Sequence, residues 1–476
     1  MDREEFRAHA HTFADWMADY LSNVEQYPVR SQVKPGDVLK QLAEHCPERA
    51  ESMDAIFADF KSTIMPGITH WQHPKFFAYF TANSSPPSVL AEMLTATLGA
   101  QCMLWETSPA ATELETRVTE WLRELMDLPT AFIGSIQDSA SAATLCAIIA
   151  ACNRATAGRF ARAGLAGGPP LIVYASAEAH SSVEKGARIA GVGADNVRKI
   201  ATRDDDGMDP QALRDAIAAD RAAGRVPACI VTCFGTTGVG ACDPLPEIGR
   251  IAQTEDIHLH VDAAWAGSAL ILPEVRAQLA GVEYADSLVF NPHKWLFTNF
   301  DCSLLYMRDP RALTGVLSLT PAYLESKNSK QAPEYRDWSV ALGRRFRALK
   351  LWFVLRSYGA EGLRQKLREH LAWTERLADL IRAAPGFELT TPVRFAMLSF
   401  RYAPDPALNV GELNALNERL LRQLNDNGKV YLTKTSHRGR VVIRFVIGQT
   451  YTTWRHVQEG WDLIHSSAAA LAGRSA

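Results

Sequence analysis

The chain has little of what marks a nucleic-acid binder, a membrane protein or a disulfide scaffold. Its 476 residues carry 50 Lys and Arg against 53 Asp and Glu, a net charge of −3. With no basic excess, nothing marks it for phosphate backbones or anionic membrane surfaces. No run of 18 or more apolar residues occurs, so no segment reads as a membrane-spanning helix. The start, MDREEFRAHAHTFADWMADYL, carries acids early and lacks the basic head and apolar run of a secretory leader. The eight cysteines include no CxxC pair, and Cys229 and Cys233 stand four apart in a strand-like run, poor spacing for a metal. They read as reduced thiols of a cytoplasmic protein without a metal site. Internal repeats and low-complexity segments are also absent.

Apolar surface is plentiful. Hydrophobic residues make up 47% and charged residues 22%, which suits a large core and argues against bulk disorder. Residues 1–80 read as helices broken by turns, with wide apolar faces and little nearby to bury them. From about 130 short β-branched runs alternate with amphipathic helices: PLIVYAS, ACIVTCF, IHLHVDA, DSLVFN and CSLLYMR. That alternation predicts an α/β domain, a mostly parallel central sheet with helices on both faces. After a long helical stretch, FELTTP, MLSFRYA, KVYLTKT and RVVIRFVIG read as strands of a smaller α+β unit. The expected division is a helical segment 1–80, a large domain 81–350 and a small domain 351–476.

Ligands of such sheets bind at the carboxyl ends of the strands, and four polar groups fall there. Lys294, in NPHKW, follows the run SLVF. Asp262 closes HLHVD. His180 follows LIVYAS. SIQDSASAATLCAIIAACNR sets small and hydroxyl residues, Ser139 among them, before a helix whose first N–H groups are free to meet a phosphate. Each has an ordinary alternative: a solvated lysine, a helix-capping Asp, a satisfied structural His, a Ser/Asp cap. Together they are the set that pyridoxal 5′-phosphate requires. A lysine amine condenses with its aldehyde, an acid keeps its pyridine nitrogen protonated, and a flat imidazole can stack on its ring.

MPGITHWQHPKFFAYF, SPAATELE, AHSSVEKG, HVDAAWAG, NPHKW, NFDCS and LGRRFRALKLW, in this order along the chain, closely resemble the pyridoxal-phosphate-dependent group II decarboxylases, nearest the aromatic-L-amino-acid branch. The likeness runs from about residue 5 to about residue 465. It implies a fold type I transferase-like fold, a pyridoxal-phosphate cofactor and an intertwined homodimer whose N-terminal helices cross onto the partner. It implies Lys294 as the lysine that carries the cofactor, Asp262 as partner of the pyridine nitrogen, Ala264 as a packing contact, and His180 as the stacked imidazole. Ala140, Ser141, Asn291 and His293 match phosphate-side positions with Ser139 adjacent, and Thr236 matches a residue near the ring oxygen.

The activity implied is decarboxylation of an aromatic L-amino acid, of the Dopa, 5-hydroxytryptophan, tryptophan or tyrosine type, to the amine and carbon dioxide. The alternatives are an aromatic acetaldehyde synthase and a decarboxylase of another amino acid such as histidine. Tyr323, in the polar stretch 319–338, matches a tyrosine implicated in protonating the substrate carbon; related aldehyde synthases carry phenylalanine there. Without the resemblance Tyr323 reads as a loop aromatic that merely packs. Residues expected around the substrate are Trp71, Tyr79, Phe80, Thr81, Ala82, Gln101, Met103, His180 and Gly343, with Gln101 and Met103 supplied by the partner subunit. No cation is in the set, which argues against a substrate with a distal carboxylate. Thr81, Ala82, Met103 and Trp265 depart from residues frequent in close relatives.

Overall fold

The computed structural model describes residues 1–319 and 332–472, in two compact units: residues 83–371, and residues 1–82 with 372–476.

The unit of 83–371 is built on a seven-stranded sheet. Its strands are β1 (Ile133–Gln137), β2 (Leu171–Ser176), β3 (Val197–Ile200), β4 (Val226–Cys233), β5 (His258–Asp262), β6 (Ser287–Phe290) and β7 (Ser303–Met307). Their spatial order is β1-β7-β6-β5-β4-β2-β3. The pairs from β6 to β3 are parallel, and β7 runs antiparallel between β6 and β1. Strands covered on both faces are mostly apolar; every residue of β2, β5, β6 and β7 is buried, and the polar ones among them include His258, His260 and Asp262 of β5. On one face Val173, Ala175, Cys229 and Val231 pack with Ile148 and Ala151 of helix Ala140–Ala155 and with Val183 and Ala187 of helix Ser182–Ile189. The small residues of the first helix let it lie close to the sheet.

Five of the sequence-read runs become β2, β4, β5, β6 and β7. β1 (IGSIQ) and β3 (VRKI) were not anticipated; a Gly-Ser pair interrupts one and two basic residues the other. β1 forms because its neighbours, not its propensity, cover it: Gly134 leaves room for Thr119 Cβ and a Tyr306 ring carbon, which an added Cβ would meet at 2.6 and 2.8 Å.

The other unit holds β8 (Phe387–Leu389), β9 (Met397–Tyr402), β10 (Thr433–His437) and β11 (Arg440–Val446), antiparallel in the order β10-β11-β9-β8. Arg438 and Gly439 join β10 to β11, both at positive φ (50° and 76°), the tight turn that suits a twisted hairpin. One sheet face stacks Phe445 on Phe77 (4.1 Å between centroids) and sets Phe387 and Phe400 against Trp461. Helix Arg3–Asn23 starts with a capping box, Asp2 and Glu5 bonding each other's backbone N–H, and buries none of its residues.

Candidate active site

Five of the sheet's strands end at one edge, and their ends carry the candidate residues. β5 places Asp262 at its last position, paired with Cys233 of β4 and Val289 of β6. Its Oδ1 accepts the Ala264 N–H (3.0 Å), and Oδ2 has no hydrogen-bond partner among the described residues. Asp262 is only 8% exposed. The Ala264 carbonyl in turn accepts the Asn291 N–H (2.9 Å), which ties the turn after β5 to the turn after β6.

Lys294 lies just beyond β6, in the single helical turn Pro292–Trp295. Three contacts hold that turn. The Lys294 N–H donates to the Asn291 carbonyl (2.9 Å), the Asn83 N–H donates to the His293 carbonyl (2.9 Å), and the Asn83 side-chain amide donates to the Lys294 carbonyl. Behind it Trp295 stacks on Trp265 and donates Nε1–H to His370 (3.0 Å). The Asn291 side chain accepts from Ser303 Oγ (2.5 Å).

His180 follows β2 and is solvent-exposed on one side. Its Nδ1 accepts the Ser182 N–H (3.1 Å) and meets the Ser182 hydroxyl (2.9 Å), so the proton of the neutral ring sits on Nε2. Partial burial pulls its pKa below the ordinary value; the Asp262 charge works against that and the Lys294 charge adds to it. The three groups therefore share one electrostatic neighbourhood.

At the end of β1, Ser139 caps helix Ala140–Ala155, accepting the Ala142 N–H (3.1 Å) and donating to Asp138 (2.9 Å). The Ala140 and Ser141 N–H groups remain as first-turn donors, at the positive end of the helix dipole. His293 is buried, and its Nδ1 accepts the Cys302 N–H (2.9 Å), which leaves Nε2–H as a donor. Burial, with Lys294 next, depresses its pKa to about 3, so the ring stays neutral. Thr236 is buried in the turn after β4, where its Oγ1 accepts the Ala241 N–H (2.9 Å). Gly235 in that turn (φ +87°) passes so close to Ala266 that a Cβ would sit 2.6 Å from it.

This donor set fits pyridoxal phosphate. N–H and hydroxyl donors suit a phosphate, an unoccupied carboxylate oxygen suits a pyridinium N–H, and a lysine at the next strand end suits an aldehyde. No group of three or more His, Cys, Asp or Glu is placed to hold a metal ion among the described residues.

The substrate candidates fall in two groups. Trp71, Tyr79, Phe80, Thr81 and Ala82 belong to the unit of 1–82 and 372–476. Trp71 stacks on Tyr79 (5.8 Å), Tyr79 holds a strained positive φ of 50°, Thr81 Oγ1 is buried without a hydrogen bond among the described residues, and the Ala82 carbonyl accepts from Gln72 (2.9 Å). Arg444 puts its guanidinium 5.0 Å from the Phe80 ring. A cation therefore abuts one member of a set that holds none in sequence. Burial lowers the Arg444 pKa to about 10, and it makes no ion pair among the described residues. Gln101, Met103 and Gly343 belong to the other unit: Gln101 adjoins Gly343, and the Met103 carbonyl accepts the Arg336 N–H (3.0 Å). Tyr323 lies outside the described residues.

Asn83, Ser182, Ser303 and Arg444 were missed in sequence. Ser182, two residues after His180, carried a local signal. The others meet their partners across long stretches of chain, and nothing local marks them.

The model of the pyridoxal-dependent decarboxylase conserved domain matches residues 35–403. Tyrosine decarboxylase 1 of Narcissus pseudonarcissus is 42% identical, over 99% of this chain and 94% of that protein. A phenylacetaldehyde synthase of Arabidopsis thaliana is 41% identical, over 99% and 97%. Among solved structures, Oryza sativa TDC with PLP and tryptamine superposes with a TM-score of 0.96 at 36% identity, covering 99% of both chains. With the strand-end lysine, acid and imidazole in place, the chain belongs to the pyridoxal-dependent decarboxylases, group II carboxy-lyases, on the aromatic-L-amino-acid branch of that family.

Proposed function

We propose that this enzyme converts an aromatic L-amino acid to its amine and carbon dioxide, with Lys294 carrying the cofactor, Asp262 pairing with its pyridine nitrogen, and His180 stacked against it. The observation that carries this is the placement of Asp262, His180 and Lys294 at the ends of β5, β2 and β6 on one edge of the sheet, close enough for Asp262 and Lys294 both to act on the His180 ring. Pyridoxal phosphate, when bound, supplies an electron sink for the bond being broken. Asp262 offers Oδ2 to a cationic N–H and is held by Ala264. The Ala140 and Ser141 amides, the Ser141 hydroxyl and His293 Nε2–H anchor the phosphate, and Ser139, engaged with Asp138 and the Ala142 N–H, fixes the helix start beside it. Thr236 and Ala264 line the ring, and Asn291, bonded to Ser303, sets the turn that aims Lys294. Trp71, Tyr79, Phe80, Thr81, Ala82, Gln101, Met103 and Gly343 are assigned to the substrate. Tyr323 delivers or relays the proton to the substrate carbon.

The cytoplasmic homodimer is part of the same reading. The helix Arg3–Asn23, none of whose residues is fully buried, supports the homodimer, as does the exposed stripe Leu90, Leu94 and Leu98 (56%, 48% and 63%) on helix Pro86–Leu98.

The relatives include both decarboxylases and aldehyde synthases, so product analysis is the test. Wild type should release one amine per carbon dioxide with almost no peroxide. Tyr323→Phe should divert product toward aldehyde, ammonia and peroxide, with one dioxygen consumed per aldehyde. Aldehyde and peroxide as the main wild-type products would overturn the assignment in favour of the synthase.

A further inference from the structure

None of the residues assigned to the phosphate carries a charge. Ala140, Ser141 and Asn291 are neutral, and so is the His293 ring. A phosphate monoester carries close to two negative charges at neutral pH. Neutral donors alone leave much of that charge unbalanced where water is excluded.

Behind His293 lies a cluster with more positive charge than negative. The Cys302 N–H donates to His293 Nδ1 (2.9 Å) and Ser303 Oγ donates to Asn291 (2.5 Å), so the segment entering β7 backs both phosphate-side residues. Asp301, next to Cys302, is gripped by Arg347, whose Nε and Nη2 donate to its two oxygens (2.9 and 3.2 Å). Glu92, on helix Pro86–Leu98, is shared: one oxygen takes Arg345, and the other stands 3.1 Å from Lys350 Nζ. Three cations thus meet two carboxylates. Asp138, which also acts on Arg347, is exposed and engaged with Ser139, so water screens it. Arg345 is exposed as well. The Lys350 side chain is not: it is 1% exposed, and Nζ makes no hydrogen bond among the described residues. A lysine is almost never buried so deeply. Its charge acts on the Cys302 thiol and on the His293 ring.

We propose that Lys350 is a positioning residue for the cofactor: from behind His293 its buried charge balances the phosphate that neutral donors hold, and so sets the affinity for the phosphorylated cofactor. This rests on the reading of Ala140, Ser141 and His293 as the phosphate's donors.

The test titrates the full-length apoenzyme with pyridoxal 5′-phosphate and with pyridoxal, and follows the bound phosphate by phosphorus NMR. Lys350→Met removes the charge and leaves Glu92 paired with Arg345. It should raise the Kd for pyridoxal 5′-phosphate by about tenfold, the order of one buried charge acting over several ångströms, and leave that for pyridoxal unchanged. Glu92→Gln leaves Lys350 uncompensated and should shift the phosphorylated cofactor the other way, toward tighter binding. Loss of packing alone would not produce opposite signs. In wild type the bound phosphate should stay dianionic down to about pH 6; in Lys350→Met its protonation should move to higher pH. An unchanged Kd for pyridoxal 5′-phosphate in Lys350→Met, an equal rise for both aldehydes, or an unmoved phosphate titration overturns the inference and leaves the phosphate donors in place. Should Lys350→Met not fold, Glu92→Gln decides, and a Kd that stays level or rises overturns it. Wild type that binds pyridoxal as tightly as its phosphate overturns the phosphate-side reading, and this inference with it.

Discussion

Asp262 is a carboxylate with one oxygen used and one left. Ala264 N–H holds Oδ1, and Oδ2 is available to a cationic ring nitrogen. If that is its task, Asp262→Asn keeps the shape and the Ala264 contact but loses the charge. The expected result is weaker cofactor binding and a fall in kcat of about 100-fold or more, the cost of deleting one preorganised electrostatic group. Steady-state kinetics with saturating cofactor measure it; a rate within about threefold of wild type would reduce Asp262 to a cap. The strand-end placement of Lys294, His180 and Asp262 was legible in sequence because each closes or follows an apolar run, and in a parallel sheet that position is the ligand edge. The supports Asn83 and Ser303 were not. They sit 211 and 12 residues from the groups they hold, Lys294 and Asn291, and no local pattern connects them.

Between elements, the Glu115–Arg344 pair ties helix Pro109–Leu125, β1 and the LGRRF turn together. Both side chains are nearly inaccessible (4% and 3% exposed); Glu115 also accepts the Ile136 N–H (2.8 Å), and Arg344 lies over the Tyr335 ring. Breaking one side of a buried ion pair strands the other charge. Glu115→Gln should therefore lower stability by about 3–5 kcal/mol, read as the midpoint of urea unfolding. A loss under about 1 kcal/mol would mean that water reaches and solvates Arg344.

Over the whole molecule, buried histidines set the response to acid. Burial holds His260, His293 and His370 at pKa values of about 3, and lowers that of His258. A histidine with a folded pKa below its unfolded value takes its proton more readily when unfolded. Its stabilising contribution is complete above about pH 6.5 and is lost as pH falls toward 3. Between pH 7.5 and 5.5 the three at about 3 together should cost about 4 kcal/mol. Asp243 works in the opposite sense. Burial raises its pKa to about 6, so protonation on acidification favours the folded state and offsets about 1 kcal/mol. Urea unfolding at the two pH values should show a net loss of at least about 3 kcal/mol, His73, held at about 4 by burial, adding in the same sense. Equal stability would mean that these rings are charged or solvated in the folded enzyme.

What the sequence alone determined is the local chemistry: the strand–helix alternation, the residues at strand ends, the cofactor they suit and the family they resemble. These depend on neighbours within a few positions, where side-chain period and turn residues speak directly. Only the tertiary structure decided that IGSIQ and VRKI become β1 and β3, that β7 runs antiparallel between β6 and β1, and that Arg444 faces Phe80. It alone set Gln101 against Gly343, 242 residues away (343 − 101). Those outcomes depend on which surfaces meet when the apolar faces are buried, and burial is a property of the packed chain rather than of any segment.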